Sequence, residues 1–189
     1  MSIMALTKET KEEEKELYRL QNFYWKEAIR CEKSEAYLAG CIMLGSWLET
    51  MLILMVNCFP EEAEQTSSAP NNINKQKSLL RWDFTDLLSV AKGANWLPSS
   101  LNLDDGGNTR KALIGDYAEV VRMVRNLAHP GSYTREHFRK RVTKKYLERQ
   151  FEVVLLCRDW LLKHNNESLL NHMKEEGLID DKNEMLSSP

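Results

Sequence analysis

Two arginines, an asparagine and a histidine stand within eight residues of one another in the stretch VVRMVRNLAHPG, Val120 to Gly131, as Arg122, Arg125, Asn126 and His129. Guanidinium groups bind carboxylates and phosphates through paired hydrogen bonds, and an imidazole exchanges a proton near neutral pH. Such a set either forms a site for an anionic substrate such as RNA, or fastens one helix to its neighbours. Leu113, Tyr117, Val120, Val121, Val124 and Ala128 make one apolar stripe. On a helical wheel Arg125, His129 and Arg122 fall about 80°, 120° and 140° from that stripe, with Asn126 near 180°.

Arg125 and His129 are four apart and can approach each other, whereas Arg122 lies about 10.5 Å before the histidine along the axis. One phosphate can touch the nearer pair, but reaching all three groups needs an extended ligand or a second subunit. Pro130 disfavours the α conformation at His129 and Gly131 lets the chain turn away, which predicts that the imidazole stands at a helix C-terminus. There the helix dipole favours the imidazolium while the two arginines oppose it, and a general base requires the arginines to prevail.

The structural alternative has a definite partner. Glu49 is the only group charged at neutral pH in the 24-residue apolar run from Ala36 to Phe59. A buried carboxylate without a partner is costly, so Arg122 or Arg125 is expected to pair with it, leaving Asn126 and His129 to tie the following loop. The run is long enough to cross a bilayer. A carboxylate near mid-membrane costs about 2.5 to 3.5 kcal/mol, and the rest of the chain is amphipathic helix in need of a partner. A surrounded core helix is therefore expected, with no membrane.

Helical periodicity recurs in four or five long blocks and strand signals are scarce, which predicts an all-α fold. The first helix is expected over about Lys8 to Lys33, burying Leu17, Leu20, Phe23, Tyr24 and Ile29, and Ser34 offers a cap for the second, which stops at Pro60. Pro60 to Lys77 reads as a mobile loop and Leu101 to Thr109 as a turn-rich one. A third helix should begin near Asp83 or Thr85 and finish before Pro98. The fourth carries the motif. The fifth runs from about Thr134 to His164, with Phe138, Val142, Tyr146, Val153, Leu156 and Trp160 on one side. Residues 1–166 thus form one domain, and 167–189 an extension with a short helix, stopped at Gly177, and a frayed tail.

The totals neither demand nor forbid an anionic partner, since 26 basic residues meet 28 acidic ones for a net charge of −2. The patch matters more. Thr134 to Arg149 holds seven lysines and arginines against two glutamates. Arg135, Arg139, Lys140, Arg141, Lys144, Lys145 and Arg149 are candidates for phosphate contacts. Phe138 and Tyr146 either stack on bases or, at helical spacing, belong to the core. Cys31, Cys41, Cys58 and Cys157 form no CxxC pair and no cluster at metal-ligand spacing. They read as buried reduced thiols of a cytoplasmic protein with neither metal nor cofactor. The start of the chain turns acidic where a signal peptide needs its apolar stretch, so no export is expected.

Three segments, GCIMLGSWLETML, TDLLSVAKGANWL and VVRMVRNLAHPG, together resemble the HEPN (higher eukaryotes and prokaryotes nucleotide-binding) family, including its abortive-infection and toxin-like members, over about Tyr24 to Leu162. The resemblance implies an up-and-down bundle of four to five helices that is commonly a homodimer, two motif helices facing across its axis. Active members are metal-independent ribonucleases with an arginine, a polar successor, and a histidine four to six residues beyond. Arg122 leaves six residues before His129 but is followed by Met123, whereas Arg125 is followed by Asn126 but leaves three. Neither arginine meets both parts of the pattern. The resemblance assigns His129 as general base toward a ribose 2′-hydroxyl, Arg122 or Arg125 as the phosphate-stabilising group, and Asn126 as an orienting group. It also implies a nucleotidyltransferase antitoxin partner for members with a tyrosine two residues past the histidine; that place is Gly131 here, the nearest tyrosine being Tyr133.

Overall fold

The computed structural model describes residues 10–67, 69, 78–97, 101–103, 110–112, 121–122, 125–126, 128–136 and 142–175. Helix α1 spans Lys11–Lys33. Thr10 accepts from the Glu13 N–H while the Glu13 carboxylate accepts from the Thr10 N–H, a reciprocal cap that starts the helix slightly later than Lys8. Three glutamates in the first turn and Arg30 and Lys33 in the last complement the dipole. Of the expected inward set, Leu17 is buried, but Phe23 stays 45% exposed, and Ala28 takes a fully buried place. Ser34 closes α1 rather than capping the next helix: its N–H donates to the Arg30 carbonyl, and Glu35 follows in the left-handed region at φ 57°.

Helix α2, Tyr37–Cys58, has no side-chain cap and needs little amphipathicity, because it is surrounded. Among the described residues it alone has the length and apolarity to cross a membrane, but two thirds of its apolar window is buried inside the protein. Leu44, Leu48, Leu52 and Val56, spaced four apart, are at most 1% exposed. Each fully buried leucine contributes about 1.5 to 3 kcal/mol, so this row is the axis of the bundle. Pro60 does not merely end α2. It opens α3, Pro60–Gln65, where its missing N–H costs nothing, and Ala63 is buried. The expected loop therefore begins with an ordered turn of helix; 70–77 lie outside the described residues.

After a 3₁₀ turn at Leu79–Arg81 comes α4, Phe84–Gly93, capped by Asp83, whose carboxylate accepts from the Thr85 and Asp86 N–H groups. Asn95 at φ 58° ends it and turns Trp96, 1% exposed, back into the core. Strand β1, Leu101–Leu103, pairs antiparallel with β2, Arg110–Ala112. This small hairpin is an addition to an otherwise all-α bundle, at a place where a loop was expected from turn residues alone. Val121, Arg122, Arg125 and Asn126 are helical, and the remainder of 113–127 lies outside the described residues. Val121 is fully buried as the stripe requires, whereas Ala128 is exposed.

Helix α5 spans Pro130–Glu136 and α6 spans Lys144–Glu175. Leu147, Gln150, Val154, Cys157 and Leu161 of α6 are buried at alternating spacings of three and four. That stripe is offset from the expected one: Val153 is buried, but Tyr146, Leu156 and Trp160 stand at its margin; Val142 and Thr143 are not helical, so the expected helix from Thr134 to His164 is not continuous, and Phe138 lies outside the described residues. The helix also runs unbroken through Asn165 and Asn166 into ESLLNHMKE, which is its last third rather than a separate element. Helix α2 packs against α1, α6 and α4, and Trp25 of α1 joins Trp47 of α2 at 5.4 Å and Phe151 of α6 edge-on at 5.6 Å between ring centroids.

Candidate functional site

Helix α2 presents Gly45 and Glu49 one turn apart, and the motif segment lays Arg125 across both. A methyl-sized Cβ at Gly45 would stand 2.6 Å from the Arg125 Cβ, closer than real carbon contacts come. Only glycine permits this approach. The guanidinium then extends along α2, its Nη2 lying 2.8 Å from Glu49 Oε2. Its Cζ also stands 5.9 Å from the ring centroid of Phe84, at the start of α4. One arginine thus joins α2, α4 and the motif segment.

The carboxylate side of the pair is the more buried: Glu49 keeps 18% of its side-chain exposure and Arg125 keeps 32%. Burial holds the Glu49 carboxyl above the ordinary carboxylate range; Arg125 opposes that rise and nearby Asp83 adds to it. Burial thus disfavours the charge on Glu49, and Arg125 is the group that supports it.

The motif segment ends in two tight backbone turns. The Ala128 N–H donates to the Arg125 carbonyl at 3.2 Å and the His129 N–H to the Asn126 carbonyl at 3.0 Å. Pro130 then begins α5, whose Tyr133 N–H returns to the His129 carbonyl at 3.0 Å. His129 is therefore the junction between two helical segments, and it is exposed. Gly131 has nothing within 4 Å of where a Cβ would lie and lies within α5. It is not the residue that turns the chain, contrary to expectation; the proline does so by starting a new helix. Arg122 and Asn126 are half-buried, as is Tyr133, which packs against the core.

Of the expected phosphate-contact residues, Arg139, Lys140 and Arg141 lie outside the described residues, and Arg135 belongs to α5 with its side chain outside them. Lys144 and Lys145 are exposed at the start of α6. Lys144 stands 3.8 Å from Glu148 and lines an open cleft of about 770 Å³ with Tyr37, Ile42 and Val142 where α2 and α6 both begin. Arg149 pairs with Glu152 at 3.1 Å. Tyr146 is half-buried against the core, and burial pushes its hydroxyl up, so it is a packing residue rather than an exposed stacking platform.

Two features escaped the sequence. Gly45 was the stronger signal, since a glycine one turn before the lone acid of an apolar helix marks a close approach. The other is a polar cluster joining α3, the turn after α4, and α6. There Trp96 Nε1–H donates to Glu62 Oε2 at 2.7 Å, and His164 Nε2 lies 3.0 Å from the same oxygen, a distance that suits an ion pair though its direction is not that of a hydrogen bond. Phe59 meets the His164 ring edge-on at 5.0 Å. The cysteines also differ from a uniform buried set. Cys41 and Cys157 are buried, with thiols pushed up to about 12, whereas Cys31 is half-buried and Cys58 exposed; none forms a disulfide.

No known family model matches the chain, and no curated protein or solved structure matches it either.

Proposed function

We propose that this chain is a HEPN-like, metal-independent ribonuclease of toxin or defence type, acting as a homodimer in the cytoplasm. The observation that carries the reading is an exposed residue, His129, one turn beyond Arg125, whose guanidinium α2 and α4 hold in place and whose side chain is 32% exposed. His129 takes the proton from a ribose 2′-hydroxyl; the 2′-oxygen bonds to the adjacent phosphorus, and the bond to the 5′-oxygen breaks. Water or the imidazole of a second copy protonates that 5′-oxygen. Arg122 and Arg125 offset charge on the phosphorane, and Asn126 orients the phosphate. Arg122 has the spacing to His129 that the family pattern asks for, and Arg125 has the polar successor, Asn126, so the two arginines share the role between them. Lys144, exposed on a cleft wall, suits the path of the flanking strand.

A second reading is favoured by one observation: Arg125 is already neutralised by Glu49 inside a single protomer. On that reading the scaffold is a non-catalytic module binding a protein or nucleotide partner, and the motif is a clamp. Structured RNA incubated with the protein in EDTA separates the two. Fragments ending in 2′,3′-cyclic phosphates, lost in His129→Ala, are the expected result. RNA left intact by both proteins eliminates the enzyme and leaves the module.

A further inference from the structure

We propose that Glu49 is an internal competitor for the phosphodiester that Arg125 binds, so that their ion pair is a latch which an RNA phosphate opens by displacing the carboxylate. The proposal rests on the ribonuclease reading above and concerns the resting state of that same site. Three observations carry it.

The Arg125 side chain remains 32% exposed while that of its partner is 18% exposed, so a ligand reaches the arginine from solvent without disturbing the core. The arginine also has supports other than Glu49. The Phe84 ring beneath it and the backbone of Gly45 beside it keep it aimed when the carboxylate lets go. Finally, the carboxylate is the weaker anion of the two in this place. Burial and Asp83 both disfavour its charge, so on losing Arg125 it can take up a proton and stay buried as a neutral acid. A phosphodiester has no such retreat: it stays ionised near neutral pH and offers two oxygens to the guanidinium fork. Exchange therefore replaces a costly buried charge with a solvent-reachable one.

The test uses a short fluorescent oligouridylate with 2′-O-methyl riboses, which binds without being cleaved, and anisotropy on the full chain. Glu49→Gln keeps the side-chain shape and should tighten binding by about fivefold or more, the lower end of ordinary site coupling. That gain should vanish in the Arg125→Gln background. Unchanged or weaker binding by Glu49→Gln, or a gain that persists without Arg125, overturns the latch. In wild-type protein the ¹³C resonance of the Glu49 carboxyl should move toward its protonated position as the oligonucleotide saturates; a resonance that stays in place overturns the latch even where the variant does not fold. If no variant and no wild-type protein binds the oligonucleotide, the ribonuclease reading falls as well. Cleavage that depends on His129, with binding unaffected by Glu49→Gln, sinks the latch alone.

Discussion

Two carboxylates serve this bundle in opposite ways. Glu49 points from the middle of the apolar central helix and has one guanidinium at 2.8 Å, with its charge disfavoured by burial. Glu62, on the short helix at the end of α2, keeps 40% of its side-chain exposure and meets two neighbours on one oxygen, the Trp96 indole at 2.7 Å and His164 at 3.0 Å. Water screens the Glu62 carboxylate, so its contacts fasten α3, the turn after α4 and α6 with less desolvation of the acid. At the first site desolvation outweighs the attraction of the one cation that opposes it. A site of that kind is where a ligand or a mutation has leverage.

The sharpest way to break the comparison is Arg125→Ala, which leaves Glu49 facing apolar helix alone. A stability loss of about 3 kcal/mol is expected in urea unfolding, at the low end for a broken buried pair because Glu49 can protonate. A loss under about 1 kcal/mol would show that the pair is no more than a surface contact. Gly45→Ala should cost somewhat less, about 2 kcal/mol, since its Cβ meets the Arg125 Cβ at 2.6 Å and one helix has to move. On the proposed ribonuclease reading, the same substitution should diminish RNA cleavage by displacing the motif, which a stability effect alone would not do in a protein still fully folded at the assay temperature.

Why Glu49 needed a cation was legible from the sequence, because a lone acid in a run of that apolarity has nowhere cheap to go. Which arginine would supply it was not. Arg122 and Arg125 lie on one flank of the motif helix, and the choice depends on the register of that helix against α2, which the missing side chain of Gly45 fixes. The central helix and the start of α4 at Asp83 were equally readable, one from unbroken hydrophobicity and the other from a capping residue. Boundaries around the basic segment were not: Pro130 was read as a stop when it is also a start, and Asn165 with Asn166 as an end when α6 continues past them. Proline at a first turn and asparagine on a solvated helix face carry small penalties that tertiary context overrides. The hairpin is invisible for a simpler reason, since three residues per strand are too few for an alternation to register.

The pH dependence sharpens the contrast further. Folding raises the Glu49 carboxyl above its unfolded value, so the native state holds that proton where the unfolded chain has already lost it. The stability this group contributes is complete below the unfolded value near 4.5 and is lost as pH rises through the higher folded value. The difference in unfolding free energy between wild type and Glu49→Gln should therefore shift against wild type across that interval and become flat above it. A difference that moves in favour of wild type with rising pH would mean that Arg125 outweighs burial, and it would weaken the case for a latch.

The smallest effect belongs to the other carboxylate. Glu62→Gln retains an oxygen for the Trp96 indole and removes only a charge that water already screens, so a loss below about 1 kcal/mol is expected. The ¹⁵N indole resonance of Trp96 should stay near its wild-type position, reporting that the hydrogen bond survives. Loss of that bond together with a cost as large as that of Arg125→Ala would place Glu62 among the charges the core depends on. In that event exposure would not be what distinguishes the two carboxylates, and the reason for singling out Glu49 as the displaceable group would have to be sought in the arginine instead.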